Sequence, residues 1–574
     1  MYNIHDIIHT FFYLFFNLFF IKCDFSLILY NRAHCLDTII KLLESLSRTE
    51  RSFGWNQEFI LTLREMLKDG SGVSVQSHGG HRNKWLDEMF FSWAVPRLLF
   101  HYKEEHFKTV MEVVPLFVPI GNCEDRSRNI LHALVDMDSN WFKMHAKNLP
   151  INFFQHYKQI VSKVNECNGK LINATDHTGK PPVSKFIKTM QISDLPEELL
   201  TTTGLGKIID LANELKSEMN VTLQDDAGDT TMHILADRYN EAINDSCRRL
   251  MVALAKLLVN SSNIDIQDCD GSTLLHILIS VYHLQDTENR VRMFLELVEF
   301  LGYNSDLREG DNKGLSLKNN NGQTVLHVAV ENYNKMIPQQ CASKFHKLFK
   351  HLLSEDNIDS QDGKGWTALH ILTSKYPEQI PTYDNYNNLE VFWTLFKIFA
   401  DGLSKIVADN NGKTVLHLLA EKFPNDIAEG DAKRYLGGIR EVVSNISKMK
   451  DIQENIKGFT ALHVILDNYQ GQMAQNCKDI FTDLVNDLKS ATNVNYTDNK
   501  GRTVLHILAN KLTSDPNLAS DLLPVVQLLK SSENSKTEDN EGNTACSIIL
   551  KETPKLQSDG HTEEKLTKIY WQFK

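Results

Sequence analysis

DGKGWTALHILT, residues 362–373, is one of seven in-phase copies of a single phrase. The others are DDAGDTTMHILA from Asp225, DCDGSTLLHILI from Asp268, NNNGQTVLHVAV from Asn319, DNNGKTVLHLLA from Asp409, NIKGFTALHVIL from Asn455 and DNKGRTVLHILA from Asp498. The common frame is Asp/Asn-x-x-Gly-x-Thr-x-Leu-His followed by an apolar run. Its glycines, at 228, 271, 322, 365, 412, 458 and 501, are separated by 43, 51, 43, 47, 46 and 43 residues. A recurrence of this length means that each unit is one supersecondary element stacked on its neighbours.

Each position in the frame has a physical reason. Asp or Asn bonds its own backbone in a tight turn, and Gly supplies a positive φ without steric cost. Thr, two residues after Gly, falls where a helix starts, and its hydroxyl can cap free amides. Leu and His then occupy the first helical turn. Apolar residues after them, such as Ile234 and Leu235 or Leu418 and Leu419, face the stack. A second helix with an apolar stripe closes the unit, as in CRRLMVALAKLLVN, VRMFLELVEFLG, KFHKLFKHLLS, LEVFWTLFKIFA and CKDIFTDLVNDLK. One such pair cannot bury its apolar face alone, whereas a row of them can.

The phrase resembles the ankyrin repeat family, in phase over residues 225 to 506 and, with weaker copies, over 125 to 550. The resemblance implies an all-α solenoid of helix-turn-helix units with short β-hairpin turns. Two departures stand out. Thr-x-Leu-His replaces the family's Thr-Pro-Leu-His, and the period is about ten residues longer than the family's 33. The extra length falls after the first helix. There, eleven residues past six of the seven glycines, stands an aromatic: Tyr239, Tyr282, Tyr333, Tyr376, Phe423 and Tyr469. This predicts a first helix one turn longer, with a ring row packed between units.

Weaker copies flank the array. RNILHALVDM places Leu131 and His132 in the frame, DHTGKPPVSKFI keeps Asp176 and Gly179, and DNEGNTACSIIL keeps Asp539, Gly542 and Thr544 but has Ser547 for His. Terminal repeats face water on one side and need not keep the internal consensus. The division expected is 1–30, a hydrophobic N-terminal segment; 31–120, a helical region; 121–220, divergent repeats; 221–550, the array; and 551–574, a cap or tail. In 31–120, apolar residues recur at helical spacing around Leu36 to Leu46, Phe59 to Leu67 and Trp85 to Phe107, interrupted by a Gly/Ser loop at 70–83. His78 and His81 in that loop have nothing nearby to complete a metal set.

Residues 7–21, IIHTFFYLFFNLFFI, have three readings. The run falls short of the roughly 20 apolar residues of a membrane helix, although LILY follows at 27–30. It lacks the basic start and cleavage site of a signal peptide. Its Phe-, Ile- and Asn-rich composition also fits translated non-coding sequence. Bulk composition is that of an ordinary soluble protein, with 42% hydrophobic and 23% charged residues. The net charge of −12 argues against a nucleic-acid or anionic-membrane binder. Nine scattered cysteines without a Cys-x-x-Cys pair fit reduced thiols in the cytoplasm, and sequons such as Asn173 and Asn220 occur at chance frequency.

No catalytic, cofactor or metal signature is present. TTGLGKII at 202–209 lacks the first Gly and the hydroxyl residue of a phosphate loop. Helices stack about 8–10 Å apart. The seven histidines, His233, His276, His327, His370, His417, His463 and His506, therefore cannot share an ion at about 2 Å. The ankyrin resemblance implies that they are structural, bonding Thr and backbone between units. It also implies that residues flanking the turn Gly project towards partners. These change from Asp226, Asp229, Asp270, Ser272, Asn321 and Gln323 to Lys364, Trp366, Asn411, Lys413, Lys457, Phe459, Lys500 and Arg502. The expectation is a cytoplasmic, non-enzymatic scaffold that binds a protein partner through the concave face and hairpin tips of the stack, with Lys364, Trp366, Lys413, Lys457, Phe459, Lys500 and Arg502 taking an acidic segment of that partner. Its alternatives are a membrane-tethered adaptor anchored by 7–30, or an enzyme whose domain lies in 31–120.

Overall fold

The computed structural model describes residues 95–100, most of 107–118, 129–136 and 148–574. Within these it omits 191–194, 196–198, 242–243, 282–287, 304–312, 333–338, 376–385, 403–406, 422–439, 441–457, 472–474 and 553–559. The hydrophobic segment 1–30, the region up to residue 94, Lys457 and the aromatics Tyr282, Tyr333, Tyr376 and Phe423 lie outside the described residues.

The chain is all-α. Leading helices begin at each Thr-x-Leu-His and pack side by side. Ile130–Val135 contacts Pro182–Thr189, which contacts Thr231–Asp237. The row continues through Leu274–Ser280, Val325–Glu331, Ala368–Ser374, Val415–Glu421, Ala461–Asn468 and Val504–Ser514 to Ala545–Glu552. Following helices form a second row. Phe153–Cys167, Thr202–Leu215, Asp245–Leu258, Glu288–Tyr303, Gln339–Leu352 and Tyr386–Gly402 pack in succession, as do Gln475–Leu488, Ala519–Leu529 and Gly560–Phe573. The core is the apolar layer between the rows, with Phe186, Phe294, Phe396, Phe399 and Phe481 fully buried. The stretch 202–209 is the start of an ordinary helix capped by Thr201, with Gly204 pressed against Leu199.

The local geometry follows from the frame. Six of the seven frame threonines are helix N-caps with φ between −85° and −81° and ψ between 164° and 171°. The turn before Thr367 shows why its residues are needed. Asp362 Oδ1 accepts the amides of Lys364 and Trp366, each at 2.8 Å. The Asp362 amide donates to the Trp366 carbonyl at 2.8 Å, and the Gly365 amide to the Asp362 carbonyl at 3.0 Å. The Gly363 amide donates to Asn321 of the preceding turn at 2.8 Å. With the Thr367 amide held by His370, every amide from 362 to 367 has a partner. Gly365 has φ +78°, and a Cβ there would lie 2.6 Å from the Asn410 amide nitrogen of the next turn. Only glycine meets both demands.

Two expectations change. Among the described residues the turns contain no strands, only isolated bridges at Gln267–Thr273 and Ala408–Thr414. One bond, from the Asp362 amide to the Trp366 carbonyl, joins the two arms at 362–367, and the other turn amides go to Asp362, to the preceding turn and to His370, so no ladder forms. The leading helices from 231 to 374 are also seven residues long rather than one turn longer, and only Val504–Ser514, which has Leu512 in place of a ring, reaches eleven among the described residues. Tyr239 instead sits in a 3-10 turn, Arg238–Glu241, and Tyr469 is the C-cap of Ala461–Asn468. Leaving the helix there lets each ring tuck under the following helices. Tyr239 lies 6.2 Å from Phe294 and Tyr469 stacks at 4.6 Å on Phe481.

Candidate interaction surface

The seven histidines are buried at the start of the leading helices. In each, Thr Oγ1 lies 2.7–2.9 Å from His Nδ1. In six, the Thr amide also donates to Nδ1 at 3.0–3.2 Å. Nε2 reaches the next unit: His276 to the Gln323 carbonyl (3.1 Å), His327 to Trp366 (3.0 Å), His370 to Lys413 (3.1 Å), His417 to Phe459 (2.8 Å) and His506 to Asn543 (2.9 Å). The divergent His132 does the same, accepting from Asn129 and meeting Lys180 at 2.8 Å. A carbonyl only accepts, so Nε2 carries the proton and Nδ1 the lone pair. Burial pushes all seven below the ordinary imidazole range, His276 and His463 to about 4. Both ring nitrogens are thus committed to neutral, structural bonds in five of the seven, and Nδ1 in all. Among the described residues no group of three His, Cys, Asp or Glu side chains is placed to hold a metal ion.

The variable residues line the turn edge, and the structure divides them. Lys364 and Lys500 are exposed. Trp366 is half-buried, its Nε1 donating to Asp409 of the next turn at 3.1 Å, with the Lys364 ammonium 5.9 Å from its ring. Lys413 pairs with Glu421 at 2.7 Å. Phe459 is half-buried between His463 and Arg502, at 5.8 Å from each, and Arg502 is fastened to Asp498 at 2.7 Å. The two aromatic tips therefore link successive turns, and the projecting charge is carried by the lysines. At the other end Asp226 and Asp270 are exposed. Asp229 is half-buried, and burial with the neighbouring Asp225 and Asp268 pushes its carboxyl up to about 6. Asp225 itself pairs with Lys180. The edge runs from acidic to basic along the chain.

Two repeated devices escaped the sequence reading. An asparagine stands five residues before several turn aspartates: Asn220, Asn263, Asn357, Asn493 and Asn534. Asn357 Nδ2 donates to Leu352 (2.7 Å) in its own unit and to Leu315 (3.2 Å) in the preceding one, while its Oδ1 accepts the Ser354 amide at 2.9 Å. Asn220 is fully buried and bonds in the same way, to Leu215 and Ile172, so its sequon is not a glycan acceptor in the folded chain. Gln224, Gln267 and Gln361, one residue before the turn Asp, form the second device. Gln361 bridges the carbonyls of Gly365 (2.7 Å) and Ala408 (2.8 Å) across two units. The signal for both was their fixed distance from the turn.

No described helix is long and apolar enough to cross a membrane. Neither a scan against protein-family models nor a search of curated proteins returns a match.

Proposed function

We propose that the chain is an ankyrin-like solenoid serving as a non-enzymatic, cytoplasmic protein-interaction scaffold, and that it takes an acidic partner segment along the basic half of its turn edge. The observation that carries this reading is the separation of two residue sets. Asp, Gly, Thr, His, Asn and Gln repeat and are spent on bonds within and between units. The third and fifth residues of each turn, on either side of the glycine, vary, and their backbone bonds do not depend on their side chains. A constant frame displaying variable side chains suits recognition by surface complementarity. Fold class alone names no partner.

The test uses Lys364→Glu with Lys500→Glu, because neither ammonium holds the turns together, whereas Trp366 and Arg502 do. Affinity purification of the full chain with mass spectrometry should recover a partner whose binding weakens with added salt and drops about tenfold or more in the double variant. An identical partner set at unchanged recovery would rule out the basic edge as the binding face.

A further inference from the structure

The residue after the turn glycine is where one turn can reach the next. Lys180 pairs with Asp225 of the following turn, and Trp366 Nε1–H donates to Asp409 of the following turn at 3.1 Å. Arg502 and Asn543 turn back to the aspartates of their own turns, Asp498 and Asp539. In each case a donor stands beside a turn aspartate whose Oδ1 is already spent on turn amides. Gln323 and Lys413 instead reach acids on their own helices, Glu331 and Glu421.

Between the turns at 225–230 and 268–273 the same place holds Asp229, an acid among acids. Its own turn supplies Asp225, the next turn Asp268, and its own helix Asp237. Lys180 is the cation of this group and is already paired with Asp225. Asp226 and Asp270, exposed at the two tips, have the same sign as Asp229. The buried His233 lies within electrostatic reach of Asp225 and Asp268, and its Nε2 lacks the bond to the next turn that five of its counterparts make. His463 lacks it too, but there Phe459 and Arg502 fill the neighbouring places with a ring and a cation.

We propose that Asp229 is a proton-operated clasp between these two units. Protonated, its O–H donates to Asp268 of the next turn, as Trp366 donates to Asp409. Ionised, it repels Asp268 and Asp225, and the two units hold each other less tightly. Gln224 Nε2 donates to the carbonyls of Gly228 and Gln267, both at 2.8 Å, and keeps the turns in register in either state. Burial, with Asp225 and Asp268 beside it, holds the Asp229 carboxyl up to about 6 from an ordinary 3.8, so the clasp releases just below neutral pH. The closed joint binds the proton more tightly than the open one. Its contribution is therefore fully present below about 3.8 and is lost as pH rises through about 6. This is opposite in sign to His233 and His276 on the two helices of the joint, which burial holds below the ordinary imidazole range.

Hydrogen exchange of the full chain, read by mass spectrometry at about pH 5 and about pH 7.5 and corrected for the intrinsic rate, tests this. Protection of the helices Thr231–Asp237 and Leu274–Ser280 should rise about tenfold at the lower pH, the ratio that a shift from 3.8 to about 6 gives between those two conditions. The helix Ala368–Ser374, whose turn is joined to the next by Trp366, should show no such rise. Asp229→Asn puts an amide that donates at every pH in the same place, and should be protected alike under both conditions. Asp268→Asn keeps its turn, since Asn319 accepts the corresponding amides in the next one, but gives an ionised Asp229 a donor to face, so the rise should shrink. Should Asp229→Asn lose native helicity, Asp229→Ser, which copies Ser272 of the next unit, gives the same reading. No rise in the wild type, a rise that survives replacement of Asp229, or one undiminished in Asp268→Asn would overturn the clasp.

Discussion

At each structural histidine, Nδ1 accepts from a threonine while, in five units, Nε2–H serves the neighbouring turn, so protonation would set a donor against a donor. This gives acid sensitivity a definite sign. The folded pKa lies below the unfolded value near 6.5, so the unfolded chain binds the proton first. Stability is fully present above about 6.5 and is lost as pH falls towards 4. For His276 and His463, a fall from 6.5 to about 4 corresponds to on the order of 3 kcal/mol each. Urea titrations at neutral pH and near pH 4.5 should show the midpoint falling with acid, and His463→Gln should flatten that dependence. A midpoint unchanged over this range would mean that the histidines ionise freely. These histidines were legible in the sequence because their partners are also in the phrase: Thr sits three residues earlier, and the next carbonyl belongs to a recurring turn.

At the level of the element, the sequence showed where helices begin better than how they end. Starts depend on a side chain, Thr, and a φ that glycine alone tolerates. Ends depend on what the chain must next pack against. Tyr239 and Tyr469 were visible as a recurring ring but not as the residues that bend the chain under the following helices. The asparagine clamp was missed for a related reason, since its acceptors are backbone carbonyls with no residue signature. Asn357→Ala leaves the Leu352 and Leu315 carbonyls and the Ser354 amide without their side-chain partner, and should cost about 2 kcal/mol. A urea midpoint within error of the wild type would show that water replaces the clamp. The tips were legible as charge alone, because half-burial of Trp366 and Phe459 depends on the turn that follows each of them.

For the molecule as a whole, stacking is between neighbours, so stability is a sum of unit and interface contributions. One interface weakened at mid-chain should uncouple the halves. Gly365→Ala combines a disfavoured φ with a contact on the Asn410 amide, at a cost of about 2 kcal/mol or more. Its urea unfolding, followed by circular dichroism, should resolve into two steps where the wild type shows fewer. A single shifted transition would indicate coupling that reaches beyond adjacent units.

In the turn at 362–367 the complete use of backbone amides has a consequence for exchange of specificity. An extended strand laid along this edge finds no donor to pair with, which closes the commonest route to promiscuous adhesion between sheet-like rims. Whatever reads the edge must read side chains, and the third residue of a turn, Lys364 here, can be swapped without disturbing the bonds beneath it. Such a turn behaves as a socket with a replaceable pin. New binding preferences can be installed one unit at a time while the stack that carries them stays as it was.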